Sequence, residues 1–226
     1  MERILIRIDD VGYDAKQNRL IRELCKRELK LTCAVVPTWI ETKCCKFLLR
    51  VASDFPGQVE IHQHGYAHLN HSVKTQYEFG PKRSFTQQYN DIIRGREILR
   101  TQFGGLFFEA FTPPYGFYDK NTLMALKQAG FFVISSLPSV GRNKTIIDIT
   151  PHIDCFSWHP TKELAWDIVE QAFKHETAKS VKGFILHPRF MSDNTIDDYV
   201  RGINVLCRNS TWTLKELYDE RHISMR

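Results

Sequence analysis

Short apolar runs alternate with helix-spaced apolar stripes along almost the whole chain, a pattern that predicts strands and helices in turn. Residues 4–8 (Ile-Leu-Ile-Arg-Ile) predict a first strand, followed by a helix whose buried stripe is Leu20, Ile21, Leu24 and Leu29. Residues 31–36 predict a second strand, stopped by Pro37. Phe47, Leu48, Val51 and Phe55 mark the next helix, broken by Pro56-Gly57, and a third strand at 59–61 leads into a run of histidines. Residues 70–83 are polar and predict a loop. Ser84 predicts the N-cap of a helix carrying Ile92, Ile93 and Leu99, which Gly104-Gly105 ends. A fourth strand at 106–111 closes on Pro113-Pro114-Tyr115-Gly116, and Asp119 caps a helix through Leu123, Leu126 and Ala129. A fifth strand is expected at 131–135, with others at 146–149 and 153–156 and a helix at about 162–174. A late strand at 181–186 and two short helices complete the pattern.

About seven strand–helix units, with no linker, repeat or low-complexity segment, predict one α/β domain over residues 1–226 and a barrel rather than an open sheet. In a parallel barrel the strand C-termini share one rim, where active sites sit. Asp9-Asp10, His64, Pro113 to Tyr115 and His187 each follow an apolar run, so this topology would gather them.

Composition narrows the functional classes. With 226 residues, 42% hydrophobic and 25% charged, the chain is ordinarily globular and long enough for a sizeable core. The net charge of +5 is scattered rather than gathered in a stripe, which argues against nucleic acid or a membrane surface as partner. Six cysteines without a CxxC pair predict reduced thiols. No apolar h-region opens the chain and no apolar run reaches about 18 residues, so neither a signal peptide nor a membrane span is expected. The expected protein is soluble and cytoplasmic.

Two polar clusters carry the candidate chemistry. Adjacent carboxylates at Asp9-Asp10 repel each other, a structural turn needs only one, and a bound cation would offset the repulsion. The segment from His62 to His71 holds four of the nine histidines. Carboxylates and imidazoles suit a zinc-like divalent ion held by three protein groups with one position open. On a strand, His62 and His64 share a face, whereas a turn at Gly65 would bring His64 and His68 together; the spacing allows either. His187 ends the late strand and, titrating near neutrality, is a candidate general acid.

In order, Ile8-Asp9-Asp10, His64-Gly-Tyr-Ala-His68, Pro113-Pro114-Tyr115-Gly116, Asp154-Cys-Phe-Ser157-Trp158 and Ile185-Leu186-His187 resemble the motifs of the polysaccharide deacetylase family, carbohydrate esterase family four. The resemblance covers residues 4–190 and implies a distorted (β/α)7 barrel. It implies that Asp10, His64 and His68 bind one divalent metal, zinc first, with cobalt, nickel, manganese or iron as alternatives. Asp9 would be the general base and His187 the general acid, with Pro114, Tyr115, Asp154 and Trp158 at the substrate. The implied reaction removes an N-acetyl or other N-acyl group from a sugar in a glycan or glycan precursor. Gln63-His64-Gly65, Asn70-His71, Glu78-Phe79-Gly80 and Arg83 resemble a divergent bacterial branch associated with surface-polysaccharide loci.

The chain departs from the family pattern twice. Thr112 stands where the family has an arginine that orients the catalytic Asp, and Ser157 replaces the second Asp of the fourth motif. Arg83 is the expected substitute for that arginine, reaching in from the loop. Two rival readings compete. One is an amidohydrolase-type enzyme using His62-x-His64 on a non-sugar amide; the other is an inactive glycan-binding barrel.

Overall fold

A computed structural model describes residues 2–12, 15–136, 146–158, 161–177, 181–207 and 210–223. In chain order its strands are Ile4–Val11 (β1), Leu31–Val35 (β2), Val59–His64 (β3), Phe107–Thr112 (β4), Val133–Ile134 (β5), Ile147–Asp148 (β6), Ile153–Asp154 (β7), Phe156–Trp158 (β8), Thr161–Glu163 (β9), Lys182–Leu186 (β10) and Thr211–Trp212 (β11). The helices are Ala15–Cys25 (α1), Thr42–Asp54 (α2), Phe85–Phe103 (α3), Lys120–Gln128 (α4), Trp166–His175 (α5), Asp193–Cys207 (α6) and Leu214–Ile223 (α7). Parallel strands pair in the order β6-β5-β4-β3-β2-β1-β10-β7, with β11 beside the start of β1. The sheet curls into a half-barrel with helices around it, the distorted (β/α)7-type barrel expected from the sequence.

Strand alternation divides the core in two. Ile4, Ile6 and Ile8 of β1, Leu31, Cys33 and Val35 of β2, and Ile61 of β3 pack on helix residues such as Leu20, Leu24, Leu48, Ile92 and Leu99. Leu5, Phe108, Ala110 and Val133 face the other way, meeting Ile149, Val181, Leu214 and Leu217 in a second apolar cluster. That cluster plugs the interior. Above it along the same strand faces come polar side chains, all buried: Arg7, Asp9, Thr32, Glu60, His62, His64 and Thr112.

Glu60 ties the polar column to α7. Its carboxylate accepts from the Thr32 hydroxyl at 3.0 Å and from the Leu214 and Lys215 amides at 3.1 and 2.9 Å, capping a helix start whose N–H groups lack intrahelical partners. Burial pushes the Glu60 carboxyl up to about 7, against the opposing pull of those hydrogen bonds. A folded-state value above the unfolded one means the native state holds the extra proton. The associated stability is full below the unfolded value near 4.5 and is lost as pH rises through about 7, on the order of 3 kcal/mol. Glu60→Gln mimics the protonated form. Urea unfolding at pH 5 and pH 8 should therefore show the wild type losing stability relative to Glu60→Gln across that interval.

The helix caps are as the sequence predicts. Ser84 forms a capping box with Gln87, and Asp119 forms one with Thr122. Several boundaries differ. β1 continues to Val11 and β3 to His64, so the polar clusters lie inside strand ends rather than after them. The strand expected at 153–156 is split: β7 joins the barrel, whereas β8 turns away to form an antiparallel hairpin with β9. That hairpin takes residues 161–163, so α5 begins only at Trp166 rather than near Lys162. The first closing helix, α6, spans 15 residues and is not short.

Candidate active site

Three strand ends at one rim, β2, β4 and β10, are each followed by a proline-led 3-10 turn: Pro37–Trp39, Pro114–Gly116 and Pro188–Phe190. Proline cannot continue the ladder, so each turn releases the chain where the site begins. Among the described residues four non-glycine residues have positive φ, and three of them are Asp10, His68 and Tyr115. Such backbone costs energy and concentrates where side chains must be aimed.

Asp10 lies where the β1–β2 register shifts, with φ of 59°. Its Oδ1 is 3.2 Å from His64 Nε2 and 3.1 Å from His68 Nε2, and the candidate ligand atoms of the three residues lie within 4.8 Å of one another. His64 Nδ1 lies 3.0 Å from the Thr112 carbonyl oxygen, which places the N–H there and leaves Nε2 as the lone-pair nitrogen. Burial raises the Asp10 carboxyl, but the neighbouring His187, His64 and His68 imidazoles outweigh it and hold the group well below the usual range. One carboxylate oxygen and two imidazole nitrogens converging this closely fit a divalent ion of the zinc type, which commonly takes three protein groups.

His62 does not join them. It points along the barrel interior, with Nδ1 3.0 Å from Thr32 Oγ1 and Nε2 2.8 Å from Thr112 Oγ1. Burial and the nearby Arg7 charge lower its pKa to about 3, so it is neutral. The His62-x-His64 ligand pair of the amidohydrolase reading is therefore not assembled.

Asp9 is held by a residue that sequence reasoning missed. Arg7 Nε donates to Asp9 Oδ1 at 2.7 Å and Nη2 to Oδ2 at 2.8 Å, a bidentate fork between two buried side chains. Arg7 Nη1 also donates to the carbonyl and hydroxyl oxygens of Ser135 at 2.8 and 2.9 Å, which fixes the guanidinium across the barrel. Burial raises the Asp9 carboxyl, and the charges of Arg7, His64 and His187 bring it below its ordinary value. Arg83 does not fill this role. Its guanidinium is bound to Asp91 and to the Glu78 carbonyl, over the Phe79 ring. A signal for Arg7 was present: one arginine in a strand of isoleucine and leucine, two positions before Asp9 and so on the same face.

On the opposite side, His187 Nδ1 is 3.8 Å from Asp10 Oδ2 and Nε2 is 3.4 Å from Asp154 Oδ1. These are charge contacts rather than well-formed hydrogen bonds. Burial depresses the imidazole, but the two carboxylates win and lift it to about 10. Asp154 is itself fixed by the Phe156 amide at 3.0 Å and the Trp158 indole N–H at 2.9 Å. The half-exposed Trp158 ring stands edge-on to His187, with centroids 5.2 Å apart. Tyr115 donates from its hydroxyl to the His68 carbonyl at 2.9 Å, and its ring lies 4.6 Å from that imidazole. Pro114, buried, packs beside Gly65.

Glu78 is a second residue whose role the sequence did not disclose. Its buried carboxylate accepts from the Tyr66 and Ala67 amides at 3.1 and 2.7 Å, bracing the turn that aims His68. Gly65 opens this turn with φ of 60°, and a Cβ there would collide with Glu78 Oε2 and Pro114 Cγ. Glu78→Ala should loosen the turn and weaken metal binding about 10–100-fold, as loss of a ligand's supporting partner does, read by titration of the metal-free protein with zinc.

Comparison with known proteins bears on the fold and the family. A family profile described as polysaccharide deacetylase matches residues 2–134, more than half of the chain. No curated protein matches. Among solved structures, a family 4 acetyl xylan esterase from Clostridium thermocellum with a cobalt ion superposes with a TM-score of 0.68 at 15% identity, covering 98% of this chain and 92% of that one. A family 4 carbohydrate esterase from Streptomyces lividans, bound to acetate, gives 0.64 at 16% identity over 94% and 91%. The peptidoglycan deacetylase PdaC of Bacillus subtilis gives 0.65 at 14% identity over 99% and 94%. At these identities the structures attest the fold, and the profile match attests the family: this chain belongs to the polysaccharide deacetylase family.

Proposed function

We propose that the chain, as one catalytic domain over residues 1–226, is a metal-dependent hydrolase that removes an N-acetyl group from a sugar in a glycan or glycan precursor. A surface polysaccharide is the glycan that its sequence resemblances favour. The observation that carries this reading is the convergence of Asp10, His64 and His68 beside an arginine-locked Asp9, with His187 opposite. The metal ligands would be Asp10, His64 and His68, and zinc is the ion their donor set suits best. When bound, such a cation supplies Lewis acidity, making water nucleophilic near neutral pH and polarising the acyl oxygen.

The chain's own residues divide the remaining work. Asp9 accepts the proton of the attacking water; each of its oxygens keeps a second lone pair beyond the Arg7 fork. Arg7 holds that carboxylate ionised and in place. The backbone N–H of Tyr115 donates to the developing oxyanion. His187 carries a proton and delivers it to the departing amine nitrogen, with Asp154 orienting the ring. Pro114, Tyr115 and Trp158 wall the acyl group and sugar ring, and Arg83 acts on the site only through Glu78 and the loop that carries it.

The test is metal analysis of the purified protein together with acetate release from N-acetyl sugars. About one divalent ion per chain, with acetate released, supports the reading. Metal without acetate release from any N-acetyl sugar would contradict it.

A further inference from the structure

Arg189 lies in the turn directly after His187 and is exposed. Its guanidinium carbon is 5.9 Å from the centroid of the Trp39 ring and 5.6 Å from that of Phe190. The two rings belong to opposite walls of the cleft. Trp39 packs on His68 with centroids 5.1 Å apart, whereas Phe190 meets Trp158 edge-on at 5.8 Å, and Trp158 borders His187. The cation thus sits at the mouth, between the metal-ligand wall and the proton-donor wall.

Arg7, Arg19, Arg83 and Arg100 each pair with a carboxylate. Arg189 makes no ion pair among the described residues. Aromatic faces attract a guanidinium and restrict it without cancelling its charge. A charge held this way loses little freedom when a ligand arrives and still presents its donor fork. A neutral acylated sugar offers that fork only uncharged oxygens. A phosphate or carboxylate matches it in charge and in bidentate geometry.

We propose that Arg189 is a specificity determinant that selects an N-acylated sugar bearing an acidic group, phosphate or carboxylate, over its neutral counterpart. This rests on the N-deacylation reading of the same site and names its substrate class.

The test compares N-acetylglucosamine 1-phosphate and N-acetylglucosaminuronic acid with neutral methyl N-acetylglucosaminide, using zinc-loaded wild type, Arg189→Gln and Arg189→Lys. The ratio of kcat/KM for the acidic over the neutral sugar should fall about 10–100-fold in Arg189→Gln, the scale of a lost charge-assisted contact. Arg189→Lys should keep part of it, and the wild-type ratio should shrink with added salt. The phosphate and uronate arms show which acid the site takes. A ratio unchanged in Arg189→Gln overturns the proposal. The same three sugars are titrated calorimetrically, so that absent turnover counts against the N-deacylation reading alone. In that arm, a preference for the acidic sugars that vanishes in Arg189→Gln supports the proposal, and one indifferent to residue 189, or no preference, overturns it.

Discussion

Asp9→Asn should bind one divalent cation as the wild type does and lose turnover by about two to four orders of magnitude, the range of a missing general base. The prediction follows from how the two adjacent aspartates are separated. Asp10 sits at the irregularity within β1 with positive φ and turns its carboxylate to His64 and His68, while Asp9 keeps the regular strand alternation with both oxygens on Arg7. The amide has the carboxylate's shape but a far weaker basicity, so it removes proton acceptance and spares the ligand set. Metal content and kcat measured on the same preparation check it. Normal turnover in Asp9→Asn would show that another group takes the proton.

Arg7→Leu should lower kcat by about two orders of magnitude or more and destabilise the fold by about 3–5 kcal/mol, because it leaves a buried carboxylate without its partner. Urea unfolding and kinetics under conditions where circular dichroism shows a folded variant separate the two effects. Arg7→Lys keeps the charge but not the fork, and should recover stability better than turnover. A compensating change sharpens the test. Restoring an arginine at the family's position, Thr112→Arg in the Arg7→Leu background, should regain part of kcat if orienting Asp9 is what Arg7 does. An Arg7→Leu enzyme with unaltered kcat would refute that role.

These expectations show how far the sequence could be read. The strand–helix alternation was legible because the central strands bury both faces and the helices around them one stripe, so hydrophobic period and element type coincide. The ligand trio was not legible from spacing. His62 and His64 do share a strand face, but the rim lies at His64, and His62 is left in the interior between Thr32 and Thr112. Only the order of the later motifs favoured His68, and a positive φ at that residue, braced by Glu78 through Tyr66 and Ala67, brings it back to Asp10. Arg7 was hidden by its setting, since a lone charge in an apolar strand has meaning only with its partner, and the partner's orientation depends on β1 continuing through Asp9. The hairpin of β8 and β9 was hidden for a related reason: its second strand takes Lys162 and Glu163, the start of the segment that an amphipathic count assigns to a helix.

The most direct measurement of the central claim is acetate release from an N-acetyl sugar by chelator-stripped protein as zinc is titrated back, run beside Asp10→Asn. The account predicts no release without metal, recovery complete at about one equivalent per chain, and neither binding nor release in Asp10→Asn. Acetate release that survives stripping, or full recovery in Asp10→Asn, would contradict it.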